Sequence, residues 1–322
     1  MGGALARHLV HRNDNVTALV RRSSRSEALR TLGVKLVEGD LTTGEGLDEA
    51  LDGVEVVYHL AGITKAASEA GYTLGNAQAT RLLVLAAARR SSPPRMVVCS
   101  SLAAAGPPRL DHPRAEQEVD EPVSIYGRSK LAAEAAVRAE ADSVRAIVLR
   151  PPFVYGPGDV VNLPPLLAMA RHGLFLKAGF GRKQFSFIYV DDLCEALVAA
   201  AERGETLSAT DPARGIYFVA DPRTYAWEEF CQALSRAVGR RSARVLSVPE
   251  PLGWLAAAGS ELAARVQGKV SILNRDKARE MAQEAWTCSP ARAASALAFR
   301  AHYPLEEGLT HTIAWYRQQG LV

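Results

Sequence analysis

The stretch Val54-Glu55-Val56-Val57-Tyr58-His59-Leu60 is a short run of β-branched and apolar residues, and similar runs recur along the chain. The others are Asn15 to Val20 (NVTALV), Val34 to Val37 (VKLV), Arg95 to Ser100 (RMVVCS), Arg145 to Arg150 (RAIVLR) and Gly215 to Ala220 (GIYFVA). Helical stretches separate several of them, including Asn76 to Arg90, Ser124 to Ala139 and Asp191 to Arg203. Such runs are typical of parallel strands that are buried on both faces. The pattern predicts an α/β fold with a doubly wound parallel sheet.

The strand signal fades beyond about Arg240, and the chain then has the pattern of a helical cap. Helices are predicted at Leu252 to Val266, Arg275 to Glu284, Pro290 to Leu297 and Leu305 to Gln319. The first of these is interpreted as a buried cap helix, although it is apolar enough to lie on a membrane surface.

Composition limits the possible partners and compartment. The 38 Lys and Arg against 35 Asp and Glu leave a net charge of only +3, so nucleic acid is not predicted as a partner. The 4 cysteines are far apart, without metal-ligand spacing, which predicts reduced thiols, no bound metal and a cytoplasmic protein. Apolar stretches fall short of the roughly 20 residues of a spanning helix, so stable membrane insertion is not expected.

The segment Tyr126-Gly127-Arg128-Ser129-Lys130 carries the first chemical signal. A tyrosine four residues before a lysine on a helix puts the phenol and the ammonium on one face. A nearby cation stabilises a phenolate and lowers the phenol pKa, which suits a tyrosine that transfers protons. The alternative is an ordinary amphipathic helix.

Further motifs occur in a fixed order around this segment. They are Gly39-Asp40-Leu41, His59-Leu60-Ala61-Gly62, Asn76 with Thr80, Cys99-Ser100-Ser101, Leu149 to Asp159 (LRPPFVYGPGD) and Tyr189-Val190-Asp191-Asp192. In this order the chain resembles, over nearly its whole length, the extended short-chain dehydrogenase/reductase family, also called the NAD-dependent epimerase/dehydratase family. The resemblance implies a Rossmann-like fold with a mostly helical C-terminal substrate cap. It assigns residues 1–155 plus about 185–222 to the NAD(P)-binding domain, and 156–184 plus about 223–322 to the cap.

The resemblance also implies roles for individual residues. Tyr126 would be the proton donor and acceptor, Lys130 would lower its pKa and hold the cofactor ribose, and Ser101 would bind the substrate oxygen. Ser100 is a competing assignment for the serine, and Ser101 could instead cap a turn. His59 is expected to be a core residue, and the two aspartates Asp191 and Asp192 are expected to cap a helix and favour its dipole.

Cofactor contacts are implied at several strand ends. The implied residues are Gly2, Arg21, Arg22, Asp40, Leu41, Leu60, Ala61, Gly62, Asn76, Tyr126, Lys130, Pro151 and Val154. Asp40 would bond the adenine, although an Asx turn or helix N-cap would also explain it. Arg21 and Arg22 stand where an acidic residue would select NAD, which favours NADP and leaves NAD open. Asn76 could also be structural.

The N-terminal part departs from the family pattern. The family begins with a strand that leads into Gly-x-x-Gly-x-x-Gly, of which only Gly2 matches a glycine, the third. The strand and the first two glycines would lie before Met1. We expect roughly ten to fifteen residues, read in frame upstream, to supply them.

Substrate class is indicated by what the chain lacks. Leu102-Ala103 stand where dehydratases carry an acidic pair, and Phe153 stands where nucleotide-sugar epimerases usually carry an asparagine. Apolar residues between Leu163 and Leu176 suggest an apolar pocket, or only cap packing. The favoured function is an NAD(P)-dependent oxidoreductase that transfers hydride between nicotinamide and an alcohol or ketone, as in 3β-hydroxysteroid dehydrogenases and dihydroflavonol reductases.

Two other functions stay open at this stage. One is a nucleotide-sugar epimerase, and the other is a cofactor-binding structural or sensor protein without turnover. Family relatives often dimerise through the helix after Asn76 and the helix that carries Tyr126, so a homodimer is possible.

Overall fold

The computed structural model describes residues 1–24, 26–266, 271 and 274–322. The strands are β1 (Thr17–Val20), β2 (Lys35–Glu38), β3 (Val56–His59), β4 (Arg95–Cys99), β5 (Ala146–Arg150), β6 (Phe153–Tyr155), β7 (Leu174–Ala178), β8 (Gln184–Phe185), β9 (Phe187–Tyr189), β10 (Ile216–Phe218), β11 (Tyr225–Ala226), β12 (Arg244–Val248) and β13 (Ala285–Trp286). The helices are α1 (Gly2–His11), α2 (Glu27–Thr31), α3 (Leu47–Ala50), α4 (Glu69–Tyr72), α5 (Ala79–Ala88), α6 (Leu102–Ala105), α7 (Ile125–Arg138), α8 (Leu163–His172), α9 (Val190–Arg203), α10 (Trp227–Ala237), α11 (Glu250–Val266), α12 (Arg275–Ala282), α13 (Ala291–Ala296) and α14 (Leu305–Gln318). A π-helical segment, Thr73–Gln78, joins α4 to α5.

The main sheet is parallel, as the apolar runs predict. Four strands pair in the order β10-β5-β4-β3, and β1 pairs with β2 in a separate parallel ladder. Among the described residues, β1 and β3 each have a ladder partner on one side only. The two ladders nevertheless share packing, because Val16 and Val56 contact one apolar cluster while Leu19 and Val57 contact another.

Helices cover both faces of the sheet, and alternate residues of a single strand show this. Val97 and Cys99 of β4 pack in a cluster with apolar side chains of α1 and α9. Met96 and Val98 point the other way, into a cluster with side chains of α3, α5 and α7. Because both faces of β4 are covered by helices, every residue of the strand packs in an apolar cluster, which explains why its sequence is apolar throughout. The predicted doubly wound arrangement is confirmed.

A second core forms beside the sheet and is rich in aromatic rings. Phe187 and Phe230 stack with ring centroids 4.7 Å apart, and Tyr155 meets Phe187 edge-on at 6.3 Å. Small ladders border this core: β6 with β9, β7 with β12, and β11-β8-β13. The mostly helical C-terminal region that the sequence predicts is present, and it also contains the short strands β12 and β13, which the sequence did not indicate. Strands of two to five residues are too short for a periodic signal.

Helix α11 differs from its prediction as a buried cap helix. Leu252 and Leu255 are 54% and 68% exposed, and Ala257 is the only buried side chain among those described in this helix. Across the part of the chain that the structure describes, no helix has both the length and the apolarity needed to cross a membrane.

Asp191 and Asp192 lie in the first turn of α9, as expected, but the predicted side-chain cap is absent. The buried carboxylate of Asp192 instead accepts hydrogen bonds from the backbone N–H groups of His302 and Tyr303, at 2.8 and 3.2 Å. It therefore fixes the segment that leads into α14 against the start of α9. Burial raises the pKa of this carboxyl, and the two backbone hydrogen bonds oppose that effect.

His59 ends β3 as a buried core residue, 5% exposed, and its Nε2 lies 2.8 Å from the Thr80 hydroxyl. Burial, and secondarily the charge of Lys130, lowers its pKa from 6.5 to about 3. Between these two pH values the unfolded chain binds a proton that the folded chain excludes. The contribution of neutral His59 to stability is therefore complete above about pH 6.5 and is lost progressively as the pH falls towards 3.

The His59→Gln variant should lose this part of the acid sensitivity. From pH 7 to pH 5 the wild type should lose about 2 kcal/mol more unfolding free energy than the variant, because one extra proton binds the unfolded wild type. Urea unfolding at the two pH values measures the difference. Equal losses in both proteins would show that His59 does not carry this linkage.

Candidate active site

Helix α7 holds the Tyr126 and Lys130 pair against the ends of the central strands. Its first turn is capped by Ser124, whose hydroxyl accepts a hydrogen bond of 2.9 Å from the Gly127 N–H. Gly127 is required for close packing on α6, because a Cβ there would lie 2.3 Å from the Ala103 carbonyl oxygen. The helix is therefore pressed onto the segment that follows β4.

The Tyr126 phenol is a hydrogen-bonding neighbour of Ser101. Burial raises the pKa of this phenol above its ordinary value of 10, and the Ser101 hydrogen bond opposes that effect. The expected lowering of the Tyr126 pKa by Lys130 is not found in the protein alone. The ring of Tyr72 lies beside it, with centroids 6.3 Å apart.

Lys130 is buried and its ammonium points at the end of β4. Nζ donates a hydrogen bond of 2.8 Å to the Cys99 carbonyl oxygen, and burial lowers the pKa of the amine. Within the described residues this is its one recorded hydrogen bond, so two of its three N–H donors remain available. Gly62 lies next to the Lys130 ammonium, since a Cβ on Gly62 would come within 3.6 Å of Nζ. The absence of a side chain at Gly62 therefore leaves space beside the ammonium.

The two serines after β4 have different surroundings. Ser100 is buried and its hydroxyl donates to the Glu134 carboxylate. Ser101 instead lies next to Tyr126, and its hydroxyl also accepts from the Ala103 N–H at 3.2 Å as the cap of α6. The cap that was the alternative explanation for Ser101 is therefore present, and the same side chain lies next to the Tyr126 phenol. Ser100 has an internal partner, Glu134.

Beneath the site lies a buried ionic network centred on Arg150. Its guanidinium donates to Glu134 at 2.6 Å and to both oxygens of Asp120 at 2.7 Å. Burial disfavours the charged guanidinium and so lowers the pKa of Arg150. The hydrogen bonds and charges of Glu134 and Asp120 outweigh this effect and raise the pKa above its ordinary value. The network ties the end of β5 to α7 and to the segment before α7.

Asn76 is used inside the protein. Its Oδ1 accepts from the Ile63 N–H at 2.8 Å, while Nδ2 donates to the Ile63 carbonyl and, at 2.8 Å, to the Ser129 hydroxyl. Both amide hydrogens are thus taken, so the structural interpretation of Asn76 fits better than a donor to a cofactor. The residue clamps the loop after β3 onto α7, and it does so from the π-helical segment.

Most of the remaining predicted cofactor residues follow parallel strands or begin α1, and one lies within a strand. Asp40 follows β2, Leu41 follows Asp40, Leu60 and Ala61 follow β3, Pro151 follows β5, Val154 lies in β6 and Gly2 begins α1. Ligands of doubly wound sheets bind at this edge. The spare Lys130 donors beside Gly62 suit the hydroxyls of a ribose, so these residues fit a nicotinamide dinucleotide.

Asp40 forms the Asx turn that was its alternative explanation. Oδ1 accepts from the Thr42 N–H and hydroxyl, both at 2.7 Å, and these bonds lower the pKa of Asp40. No partner is recorded for Oδ2 among the described residues. Asp40 can therefore make the turn and still accept from an adenine amine.

The predicted apolar pocket lining is wrong for three of its residues. Leu163, Leu167 and Phe175 are buried in the second core and only pack the cap. Leu174 and Leu176 alternate with Phe175 along β7 and are 42% and 48% exposed.

The sequence did not point to Asp276, although this residue contacts α7, the helix that carries Tyr126 and Lys130. Its carboxylate accepts hydrogen bonds from the Ile125 N–H at 2.7 Å and the Tyr126 N–H at 3.3 Å. It therefore satisfies N–H groups of the first turn of α7 and complements the helix dipole. Some 150 residues separate the partners, and no local motif signals such a contact.

Comparison with known proteins agrees with this geometry. Residues 1–212 match the model of the NAD dependent epimerase/dehydratase family. A ceramide reductase from Caulobacter vibrioides is 32% identical over 99% of this chain and 93% of its own length. A 4-hydroxy-2-methyl-3-oxo-4-farnesyl-3,4-dihydroquinoline-1-oxide ketoreductase from Stigmatella aurantiaca is 31% identical over 87% of each chain.

The fold is also that of a solved structure, the UDP-glucose 4-epimerase of Thermus thermophilus in complex with NAD. The TM-score is 0.76 at 20% identity, over 98% of this chain and 95% of the other. The chain belongs to the NAD-dependent epimerase/dehydratase family, the extended short-chain dehydrogenases/reductases, and is an NAD(P)-dependent oxidoreductase.

Proposed function

We propose that this chain is an NAD(P)-linked ketone reductase, or alcohol dehydrogenase in the reverse direction, for a bulky apolar substrate. The observation that carries the proposal is the Tyr126 phenol beside Ser101, with Lys130 one helical turn away. The apolar substrate class is supported by the two relatives, whose names contain ceramide and a farnesyl-substituted quinoline oxide. It is not supported by the leucines of the second core.

The bound nicotinamide supplies the hydride or accepts it. In this proposal Ser101 holds the substrate oxygen by a hydrogen bond, and Tyr126 delivers the proton to that oxygen. The phenol is protonated at neutral pH even at the ordinary tyrosine pKa of about 10, so it can donate the proton in the reductive direction. Burial raises the pKa of Tyr126 further, which keeps the phenol protonated until substrate and cofactor are bound. The two spare N–H donors of Lys130 hold the cofactor ribose. The cap of residues 156–184 plus about 223–322 would cover the substrate.

Nucleotide-sugar epimerisation is the competing function. The Phe153 ring packs against Phe187 and Phe230 at 5.7 and 6.2 Å, so it takes part in the second core and cannot bond a diphosphate. An epimerase returns its hydride to the substrate. Net oxidation of NADPH or NADH by a ketone therefore distinguishes the two functions.

The Tyr126→Phe variant should lower kcat by about 100- to 10,000-fold, because it removes the general acid. Cofactor affinity should stay within about threefold, since the ring remains. Tyr72→Phe is the matched control: its ring lies beside that of Tyr126, but its hydroxyl donates to the Thr64 carbonyl at 3.2 Å and has no role in the proposed proton transfer. Steady-state kinetics and cofactor fluorescence measure both effects. A Tyr126→Phe enzyme with wild-type kcat would refute the proposed acid.

For the cofactor we propose NADP, with Arg21 bound to the 2′-phosphate. Arg21 lies just after β1, at the same edge of the sheet as Asp40. The two Thr42 hydrogen bonds are the main cause of the lowered Asp40 pKa, and the charge of Arg21 adds a smaller contribution, which supports its proposed position near the adenosine. Arg22 is instead paired with Glu38 at 2.8 Å, and its side chain is 90% exposed.

Arg21→Ala should weaken NADPH binding by about 10- to 100-fold, the effect of one charge-assisted hydrogen bond, and change NADH binding less than about twofold. Arg22→Ala is the matched control and should change neither affinity by more than about threefold. Titration of both cofactors by fluorescence gives the ratios. An unchanged NADPH to NADH ratio in Arg21→Ala would reject the assignment.

A further inference from the structure

The first turn of α7 has three backbone N–H groups, at Ile125, Tyr126 and Gly127, that cannot bond within the helix. Ser124, the N-cap residue of the same helix, accepts from the Gly127 N–H at 2.9 Å. The other two N–H groups bond to Asp276 of α12. One carboxylate oxygen accepts from Ile125 at 2.7 Å, and the other accepts from Tyr126 at 3.3 Å. The turn that carries the phenol is therefore completed by a side chain of the C-terminal region.

The other polar anchors of α7 act further along the helix. Lys130 donates to the Cys99 carbonyl oxygen at the end of β4. Glu134 pairs with Arg150 at the end of β5. These two residues lie about one and two turns beyond Tyr126, so they hold the body of the helix on the sheet. A first turn without partners for its N–H groups frays, and the position of Tyr126 therefore depends on the acceptors of that turn.

Asp276 has little other use in the protein. Its side chain is only 10% exposed, and the Arg279 guanidinium on the same helix lies 3.8 Å away. Its two hydrogen bonds to α7 are thus its shortest polar contacts among the residues that the structure describes. A carboxylate at this place also complements the positive end of the α7 dipole. Both its oxygens and its charge are directed to the turn that carries Tyr126.

Helix α12 is itself fastened to residues of the proposed cap. Near its end, Lys183 Nζ donates at 2.7 to 3.0 Å to three successive carbonyl oxygens, those of Met281, Ala282 and Gln283. Lys183 directly precedes β8, the middle strand of the β11-β8-β13 ladder. The indole of Trp286 in β13 donates to the Glu280 carbonyl at 2.9 Å. Asp276 therefore links a unit that is built on this ladder to the first turn of α7.

We propose that Asp276 is a positioning residue for Tyr126, and that the acid is in place only when α12 of the proposed cap lies on α7. This inference rests on the proposed reductase function, in which Tyr126 delivers the proton. Asp276 acts through the backbone of Tyr126 and so keeps the phenol beside Ser101. A misplaced acid slows proton transfer more than it weakens binding, because Ser101 and Lys130 stay where they are.

Asp276→Ala should lower kcat for an apolar ketone by about 10- to 100-fold, the effect of a displacement of about 1 Å. KM for the ketone and Kd for the cofactor should stay within about threefold. Asp276→Asn keeps one acceptor oxygen and should recover part of the lost rate. Lys277→Met is the matched control on the same helix, because Lys277 pairs with Glu280 at 2.9 Å. Its kcat should stay within about threefold of the wild type.

A double-mutant cycle with Tyr126→Phe separates positioning from a general structural effect. If Asp276 acts through the phenol, Asp276→Ala should change the residual kcat of Tyr126→Phe by less than about threefold, measured at high enzyme concentration. Losses that multiply, or a wild-type kcat in Asp276→Ala alone, would show that Asp276 does not position Tyr126. Should Asp276→Ala fail to fold, as judged by thermal unfolding, Asp276→Asn takes its place in the cycle with the same two outcomes.

Tyr126→Phe alone tests the function on which this inference rests. If that variant keeps the wild-type kcat, the proposed acid is wrong, and the role of Asp276 falls with it. If that variant loses turnover, the proposed acid stands, and the double-mutant cycle then decides the role of Asp276 separately.

Discussion

The buried ion pair between Arg150 and Glu134 anchors α7, the helix that carries Tyr126 and Lys130, to the sheet. Arg150 is 2% exposed at the end of β5, and it also grips Asp120 in the segment before α7. Ser100 at the end of β4 donates to the same glutamate. Such a network adds little net stability over an apolar core, but loss of one partner leaves a bare buried charge at a cost of about 3–5 kcal/mol. The network therefore holds α7 in a single position on the sheet.

The same face of α7 continues this anchoring every four residues. Glu134 binds Arg150, Lys130 donates to the carbonyl at the end of β4, and Tyr126 lies at the open end beside Ser101. Asp276, in the C-terminal region, accepts a hydrogen bond from the Ile125 N–H in the first turn of α7. Tyr126 is thus held by its backbone at the start of a fixed helix, so its position is set before any substrate binds, which suits the proposed proton transfer.

The sequence predicted those parts of the molecule that depend on local pattern. The strands of the main sheet lie within the predicted apolar runs, and the Tyr126 to Lys130 pair lies on the predicted helix, because helix and strand periodicity are local properties. Contacts across long separations were missed. Asp276 looks like any first-turn aspartate of α12, and only the folded chain shows that it binds α7.

Burial was the other weak point of the sequence predictions. Leu163 and Phe175 are equally apolar in a pocket and in a core, and the fold puts them in the core. Asp192 looks like a helix cap in the sequence, yet it binds the segment before α14. Burial is the main cause of the raised Tyr126 pKa, and no sequence pattern reports how deeply a phenol is buried.

The central claim is that the chain transfers hydride between a nicotinamide and a carbonyl carbon, with net turnover. The most direct test is to supply NADPH and NADH deuterated at the transferring carbon, together with an apolar ketone, and to analyse the product by mass spectrometry. The account predicts one deuterium on the carbinol carbon for each cofactor molecule oxidised. Oxidation of the cofactor without deuterium in the product, or no net oxidation across the ketones, would contradict it.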